Sequence, residues 1–307
     1  MSKDLQINKK VDNNNNNNNY NMSNNLQINK EVTNKLLDFY KRQNFNNRIA
    51  GMKNFDKITS FYSSGRDVNS IRCNMRCEVS NSTYNNNYNI TKDLHIIKDL
   101  HIIKQLKNKF EKVQYKINNN KVIKLKLSYQ DVENKDLKLI GELTSLEELD
   151  LLANKITEIR DLDKLTKLEK LNLSWNEITK IQGLDNLTSL QELNLHHNYT
   201  TKIQGLDKLV NLQMLNLCYN QITEIQGLNN LFELKTLDLS HNQITKIEGL
   251  DNLASLEILW LDNNQITKIE GLGNLTKLEW LWLYTNNIPT SQIDQFKAAN
   301  KKIKVYV

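Results

Sequence analysis

Proline is nearly missing: Pro289 is the only one in 307 residues, and there are nine glycines. Collagen-like and mucin-like chains are thereby excluded, since both need dense proline beside glycine or Ser/Thr. The three cysteines, Cys73, Cys77 and Cys218, are too few for a disulfide framework and point to a reducing compartment. Cys73 and Cys77 also stand one residue too far apart for a C-x-x-C redox or zinc pair. No apolar run approaches the roughly 18 residues needed to cross a bilayer, so no membrane span is expected. The first residues, MSKDLQINKKVDN, lack the apolar core of a secretory signal. A cytoplasmic location, or a nuclear one, is the expectation.

Catalytic signatures are missing too. There is no G-x-x-x-x-G-K-[ST], no G-x-S-x-G and no H-E-x-x-H. The sequence therefore reads as a non-enzyme without a cofactor. His196, His197, Cys218 and His241 lack the further thiolates and carboxylates that a zinc site needs, so no metal site is expected.

What is abundant is asparagine, 48 residues, including an unbroken run from Asn13 to Asn19. Charge is unevenly divided. Residues 1–120 carry 20 basic and 10 acidic side chains, net +10, and residues 121–307 carry 21 and 25, net −4. Residues 1–90 read as an Asn-rich low-complexity region, largely disordered, with a weak helix over 31–43. The segments LQINKKVDN and LQINKEVTN, and the tandem KDLHII copies at 92–97 and 98–103, look like duplications.

From Leu146 onward the sequence repeats every 22 residues, with copies starting at Leu146, Leu168, Leu190, Leu212, Leu234, Leu256 and Leu278. One copy, Leu234 to Ser255, reads LKTLDLSHNQITKIEGLDNLAS. A divergent copy of 24 residues starts at Val122. In Leu237-Asp238-Leu239 the two-residue period points both leucines to one face of a short strand, leaving Asp238 toward solvent. Asn242 closes the strand and can bond backbone groups at the turn and in the next copy. Ile244, Ile247, Leu250 and Leu253 return to the same interior, and Gly249 marks a tight bend. No copy can bury its leucines alone, so stacking makes the core. Two copies depart from the frame. Thr200 replaces an isoleucine, which makes its rung less apolar, and Asp161 replaces the bend glycine, which makes the first full rung turn differently or strain.

This frame resembles the leucine-rich repeat family. Its 22-residue length and ITKIxGLxNLxxL return segment look most like the type found in a nuclear regulatory subunit of protein phosphatase one, and are also similar to bacterial internalins. The resemblance covers residues 122–288. It implies an α/β chain: a curved solenoid of about eight rungs, with a parallel concave sheet roughly 35–40 Å long and short 3₁₀ segments on the convex side. Residues 91–121 are read as a capping helix and the start of a hairpin. The helix, over about 92–112, carries Leu94, Ile97, Leu100, Ile103, Leu106 and Phe110 on one face, with Thr91 as N-cap and Asn118-Asn119-Asn120 as the hairpin turn. Residues 289–307 read as a C-terminal cap, a helix and then a strand.

The outward columns of the sheet carry the functional signal. One column runs Glu148, Lys170, Glu192, Met214, Thr236, Ile258, Trp280. A second runs Asp150, Asn172, Asn194, Asn216, Asp238, Trp260, Trp282. A third contains an aromatic line, Trp175, His197, Tyr219 and His241. All are read as outward strand positions. The apolar cluster of Met214, Ile258, Trp260, Trp280, Trp282 and Tyr284 is the expected anchor for a protein partner, with the aromatic line as a second candidate surface. A C-terminal helix lying across Trp280 and Trp282 is the competing explanation of those tryptophans. The expected function is a monomeric interaction scaffold, with a phosphatase catalytic subunit as one partner class that the resemblance implies. The alternative is nucleic-acid or anionic-surface binding through the Lys-rich stretch 92–126. That stretch has no arginine run, no interleaved stacking aromatics and no nucleic-acid motif.

Overall fold

In the computed structural model the described residues are 90–307; the expectations for residues 1–90, the helix over 31–43 and the Cys73/Cys77 pair among them, lie outside these, Ile90 excepted. Helix α1 spans Ile90–Lys109, a little shifted from the expected 92–112, and Thr91 lies inside it. A hairpin follows, β1 (Gln114–Asn118) and β2 (Lys121–Lys126). Its turn is the pair Asn119 and Asn120, with φ of 47° and 58°. Two consecutive left-handed residues are the turn that a twisted hairpin prefers, and asparagine tolerates them. A short helix, α2 (Asn134–Ile140), then occupies the divergent copy and accounts for its extra length. The Asp136 side chain accepts the Glu133 N–H at its start.

From there each copy supplies one three-residue strand: β3 (Glu148–Asp150), β4 (Lys170–Asn172), β5 (Glu192–Asn194), β6 (Met214–Asn216), β7 (Thr236–Asp238), β8 (Ile258–Trp260) and β9 (Trp280–Trp282). The chain closes with helix α3 (Thr290–Ala299) and strand β10 (Lys304–Tyr306). All ten strands form one sheet in sequence order, parallel from β2 to β10. Strands β2 to β9 are the eight rungs of a parallel-sheet solenoid, as the repeat predicts. Pairing joins equivalent residues, as with Leu237 to Leu259, so each outward column becomes a physical row.

Behind the sheet, the leucines and isoleucines of every copy form one continuous core, including Leu171, Leu173, Ile178, Ile181, Leu184 and Leu187. The return segments are successive i→i+3 turns, as in Leu165 N–H to Leu162 O and Leu168 N–H to Leu165 O, both 2.9 Å. The 3₁₀-type bond thus recurs without becoming a continuous helix. Between them, Gly183 has a φ of +71°, and a Cβ there would stand 2.5 Å from the carbonyl oxygen of Ile159 in the preceding rung. Asp161, the departure from glycine, adopts the same left-handed conformation at φ 59° instead of turning differently. Aspartate is among the few residues that tolerate it.

An asparagine ladder stitches the rungs. Asn176 Oδ1 accepts the Ile156 N–H at 3.0 Å, and its Nδ2 donates to the carbonyls of Leu151 and Leu173, each at 3.0 Å. The pattern recurs at Asn198, Asn220, Asn242 and Asn264. Each amide therefore satisfies buried backbone groups that no strand could reach.

The two ends are closed differently. Helix α1 and the residue after it cover the first rung with Ile96, Ile102, Ile103, Leu106 and Phe110, all buried. The expected face is thus turned: Ile97 and Leu100 are only half-buried, while Ile96 and Asp99 point inward. The cause is polar. The Asp99 carboxylate accepts the Val122 N–H at 3.0 Å, a backbone donor at the edge of the repeat core. Burial pushes this carboxyl above its usual range. At the other end Ile288, Phe296, Ile303 and Val305 pack half-buried on the last rung, and no residue of α3 is fully buried.

Candidate functional site

The outward face of β1 to β8 forms a trough of about 710 Å³, running from Tyr115 and Lys116 to Trp260. Its two ends differ in chemistry because the rows change along the stack. In the first row, Lys124 pairs with Glu148 and Lys170 with Glu192, the second pair at 2.7 Å. Lys126 pairs with Asp150 at 3.1 Å in the neighbouring row. Then the first row turns apolar, through Met214 and Ile258 to Trp280, with Thr236 between them.

The second row shows what its residues are for. The carboxylate or amide oxygens of Asp150, Asn172, Asn194, Asn216 and Asp238 each accept the N–H two residues ahead, at 2.9–3.1 Å. These bonds close the strand ends as Asx turns. Asp238 is therefore not simply solvent-facing: it is half-buried, and also accepts the Ser240 hydroxyl. At Trp260 and Trp282 the row abandons this bond for an indole. Packing does not require the exchange, since both side chains lie outside the core.

The structure brings Trp260, Trp280 and Trp282 together. Trp260 stacks on Trp282 with centroids 4.9 Å apart, and Trp280 lies 5.9 Å from Trp282. Sequence reasoning missed a fourth ring, Tyr306, stacked 5.1 Å from Trp282. The signal was present: Lys304-Val305-Tyr306 alternates like a strand, and parallel pairing on β9 sets Tyr306 opposite Trp282 and Lys304 opposite Trp280. The Lys304 ammonium sits 3.7 Å from the centre of the Trp280 ring. It is thus strand β10 that flanks the tryptophans, edge to edge in the sheet. Met214 and Ile258 are not in one contiguous patch with each other, since Thr236 stands between them. Tyr284 lies two residues beyond β9, in the row of Cys218 and Ser240, and is 46% exposed.

The aromatic line needs a larger correction. Trp175, His197, Tyr219 and His241 are not strand residues; each lies three residues past its strand, at φ between 53° and 55°. The same left-handed bend recurs at Ala153, Asn263 and Thr285, so the frame imposes it whatever the side chain. The bend aligns the rings into a stack: Trp175 to His197 at 3.7 Å, His197 to Tyr219 at 5.8 Å, Tyr219 to His241 at 3.9 Å. Asn263 continues it, its amide 3.3 Å from His241 Nε2. His196 meets Trp175 and Tyr219 edge-on, and burial lowers its pKa, with the neighbouring His197 adding to the effect. Next to it, burial pushes the Cys218 thiol up to about 12, and its sulfur lies 3.0 Å from the Ser240 hydroxyl oxygen, whose one proton goes to Asp238. Among the described residues no three His, Cys, Asp or Glu side chains are grouped as a metal ion would need.

Part of the Lys-rich stretch is engaged within the fold. Lys98 bonds Glu142 at 2.8 Å, Lys109 pairs with Asp136, Lys124 with Glu148 and Lys126 with Asp150. Lys107 lies over the Tyr115 ring at 4.9 Å. Among the described residues no helix is long and apolar enough to cross a membrane.

Comparison with known proteins agrees with this architecture. The model of Leucine Rich repeats (2 copies) matches residues 166–208, 210–252, 232–274 and 254–298. No curated protein matches the chain. Among solved structures, an internalin (inlF) from Listeria monocytogenes is 33% identical with a TM-score of 0.53, over 58% of this chain and 52% of that one. An internalin C2 (inlC2) from the same species is 30% identical with a TM-score of 0.49, over 57% of this chain and 80% of that one. The chain thus spans about half the length of the first of these and four-fifths of the second. The phosphatase-regulator resemblance finds no support in these matches. Leucine-rich repeat proteins generally act in protein–protein interaction, and the solenoid is typically non-catalytic. The 22-residue frame, the parallel sheet, the family-model matches and the inlF match together make residues 166–298 leucine-rich repeats.

Proposed function

We propose that this chain is a non-enzymatic scaffold that binds a partner protein on its concave sheet, with Trp260, Trp280 and Trp282 as the anchor. The observation that supports this most is the exchange of an Asx turn for an indole at Trp260 and Trp282. Two rungs give up a backbone bond worth about 1 kcal/mol to present large aromatic faces outside the core. Tryptophan dominates the energetics of protein interfaces. Ile258 extends the apolar surface, Met214 adds a separate apolar contact beyond Thr236, Tyr284 borders the tryptophans, and the stack of Trp175, His197, Tyr219 and His241 gives the partner a second line of contact. In this reading residues 122–288 carry the binding surface, 91–121 and 289–307 cap it, and the chain acts as a monomer in a reducing compartment, the cytoplasm or nucleus. A phosphatase catalytic subunit is one candidate partner class, on the resemblance of the repeat type alone. The rival reading, phosphate or anionic-surface binding through residues 92–126, has less support, because four of its lysines, Lys98, Lys109, Lys124 and Lys126, are held in ion pairs.

The test is Trp260→Ala against a partner isolated from the native host. Affinity should fall by about 30-fold or more while the melting midpoint stays unchanged. Unchanged affinity in calorimetry would sink the reading, and so would a variant whose loss of binding tracks unfolding.

A further inference from the structure

Four carboxylates line the trough: Glu148, Asp150, Glu192 and Asp238. Three are neutralised by a lysine of a neighbouring strand, namely Lys124, Lys126 and Lys170. No salt bridge from a lysine or arginine reaches Asp238 among the described residues, and its cation-capable neighbour is His196, whose pKa burial lowers. Both of its hydrogen bonds, from the Ser240 N–H at 3.0 Å and the Ser240 hydroxyl at 2.5 Å, fall on Oδ1. Burial holds its carboxyl above the usual range, and the charge of Asp262 adds to the rise. An uncompensated, half-buried carboxylate is costly, and a cation would relieve that cost.

The position of this carboxylate gives the cation its shape. Asp238 is in register with Trp260, whose ring stacks on Trp282 on the far side. Along the row the order is Asp238, Trp260, Trp282, Tyr306, so the aromatic stack ends at an unpaired negative charge. The chain itself already uses this face for a cation: the Lys304 ammonium sits 3.7 Å from the centre of the Trp280 ring. A flat guanidinium can stack on an indole and bond a carboxylate at once, which an ammonium cannot do as well.

We propose that the step between Asp238 and Trp260 receives an arginine side chain of the partner, its guanidinium on the indole and its N–H groups toward the carboxylate. Thr236 and Ile258 lie beside this step on the same two strands and would take the aliphatic stem. The inference rests on the reading that the concave sheet binds a partner, and it specifies that partner as a basic segment with apolar flanks.

The probe is a short peptide alternating leucine with arginine, and its neutral twin with citrulline in place of each arginine, titrated into the full chain by calorimetry. The arginine peptide should bind at least about 10-fold tighter, and Asp238→Asn should erase that difference. The variant keeps its fold, because Asn172, Asn194 and Asn216 occupy the same place in other rungs and accept the same N–H bond. Equal binding of the two peptides to the native chain, or a preference that survives Asp238→Asn, overturns the proposal, as does the lack of any saturable binding. Trp260→Ala separates the two readings. If both peptides bind the native chain equally and both are lost in Trp260→Ala, only the arginine assignment falls. If Trp260→Ala binds the peptides as the native chain does, the tryptophan anchor falls with it.

Discussion

The Thr200 hydroxyl donates to Oδ1 of Asn220 at 2.8 Å, and the same oxygen accepts the Thr200 N–H at 3.0 Å. Thr200 is wholly buried, at the place where other copies carry Ile178, Ile222 and Ile244. The ladder amide was already there to accept a backbone N–H, and its second lone pair satisfies the hydroxyl. One rung thus carries a buried polar side chain at little cost.

From this relationship follows the outcome of Thr200→Ile. The backbone bond to Asn220 persists, as it does for Ile178 with Asn198. The new side chain adds apolar burial worth about 1 kcal/mol. The melting midpoint should rise by about 2–4 °C. A fall in calorimetric scans would mean that this rung is packed more tightly than its neighbours.

Inward and outward positions of one rung should respond very differently. Leu239 is fully buried, and Leu239→Ala should cost about 2–5 kcal/mol through lost burial and a cavity. Asp238→Ala removes the acceptor of the Ser240 N–H and hydroxyl and should cost about 1 kcal/mol, while Asp238→Asn should be near neutral. Urea titrations in which Asp238→Ala matches Leu239→Ala would contradict this assignment.

The N-terminal cap makes stability depend on acid. Lys164 and Lys98 hold the Glu142 carboxyl down from 4.5 to about 2. A depressed folded-state pKa contributes stability above the unfolded value, and that contribution fades as pH falls from about 4.5 to about 2. Glu142→Gln should therefore lower the melting midpoint slightly at neutral pH and flatten the acid limb in that window. Because Glu142 is solvent-accessible, high salt should shrink the difference. Parallel acid limbs for the two proteins would show that the carboxylate is not coupled to folding.

Helix α1 should be indispensable to the repeats. A chain beginning at Val113 loses Ile96, Ile102, Ile103, Leu106 and Phe110 from the core and exposes the first rung. Its melting midpoint should drop by at least about 10 °C relative to a chain beginning at Ile90. Equal midpoints would mean that the hairpin alone closes the stack.

Much of this architecture was legible because the frame constrains it repeatedly. Leu237 and Leu239 declare their face by alternation, and Asn242 by its place at the end of the strand. The left-handed bend at Trp175, His197, Tyr219 and His241 was not legible. Its residues are neither glycine nor small, and only the fixed geometry between two rungs imposes a positive φ on them. The inward turn of Asp99 was hidden for another reason. An apolar periodicity cannot show that a backbone N–H at Val122, 23 residues away, needs an acceptor. At the candidate site the tryptophan row was readable by counting in steps of 22. Tyr306 was not, because it follows a helix that breaks the count.

Each ladder asparagine bonds only its own rung and the one before it, so a whole copy can be removed or inserted without leaving a backbone group unpaired. The gene can therefore lengthen or shorten the protein in units of 22 codons, and its tandem KDLHII copies look like such a duplication on a smaller scale. Each such event would move the tryptophan end relative to the lysine–glutamate end by one strand spacing, about 4.8 Å, without altering either end. On the proposed function the solenoid would act as a molecular ruler: for a partner that touches both ends, the number of copies sets the distance to be spanned, and specificity would evolve by counting rather than by substitution.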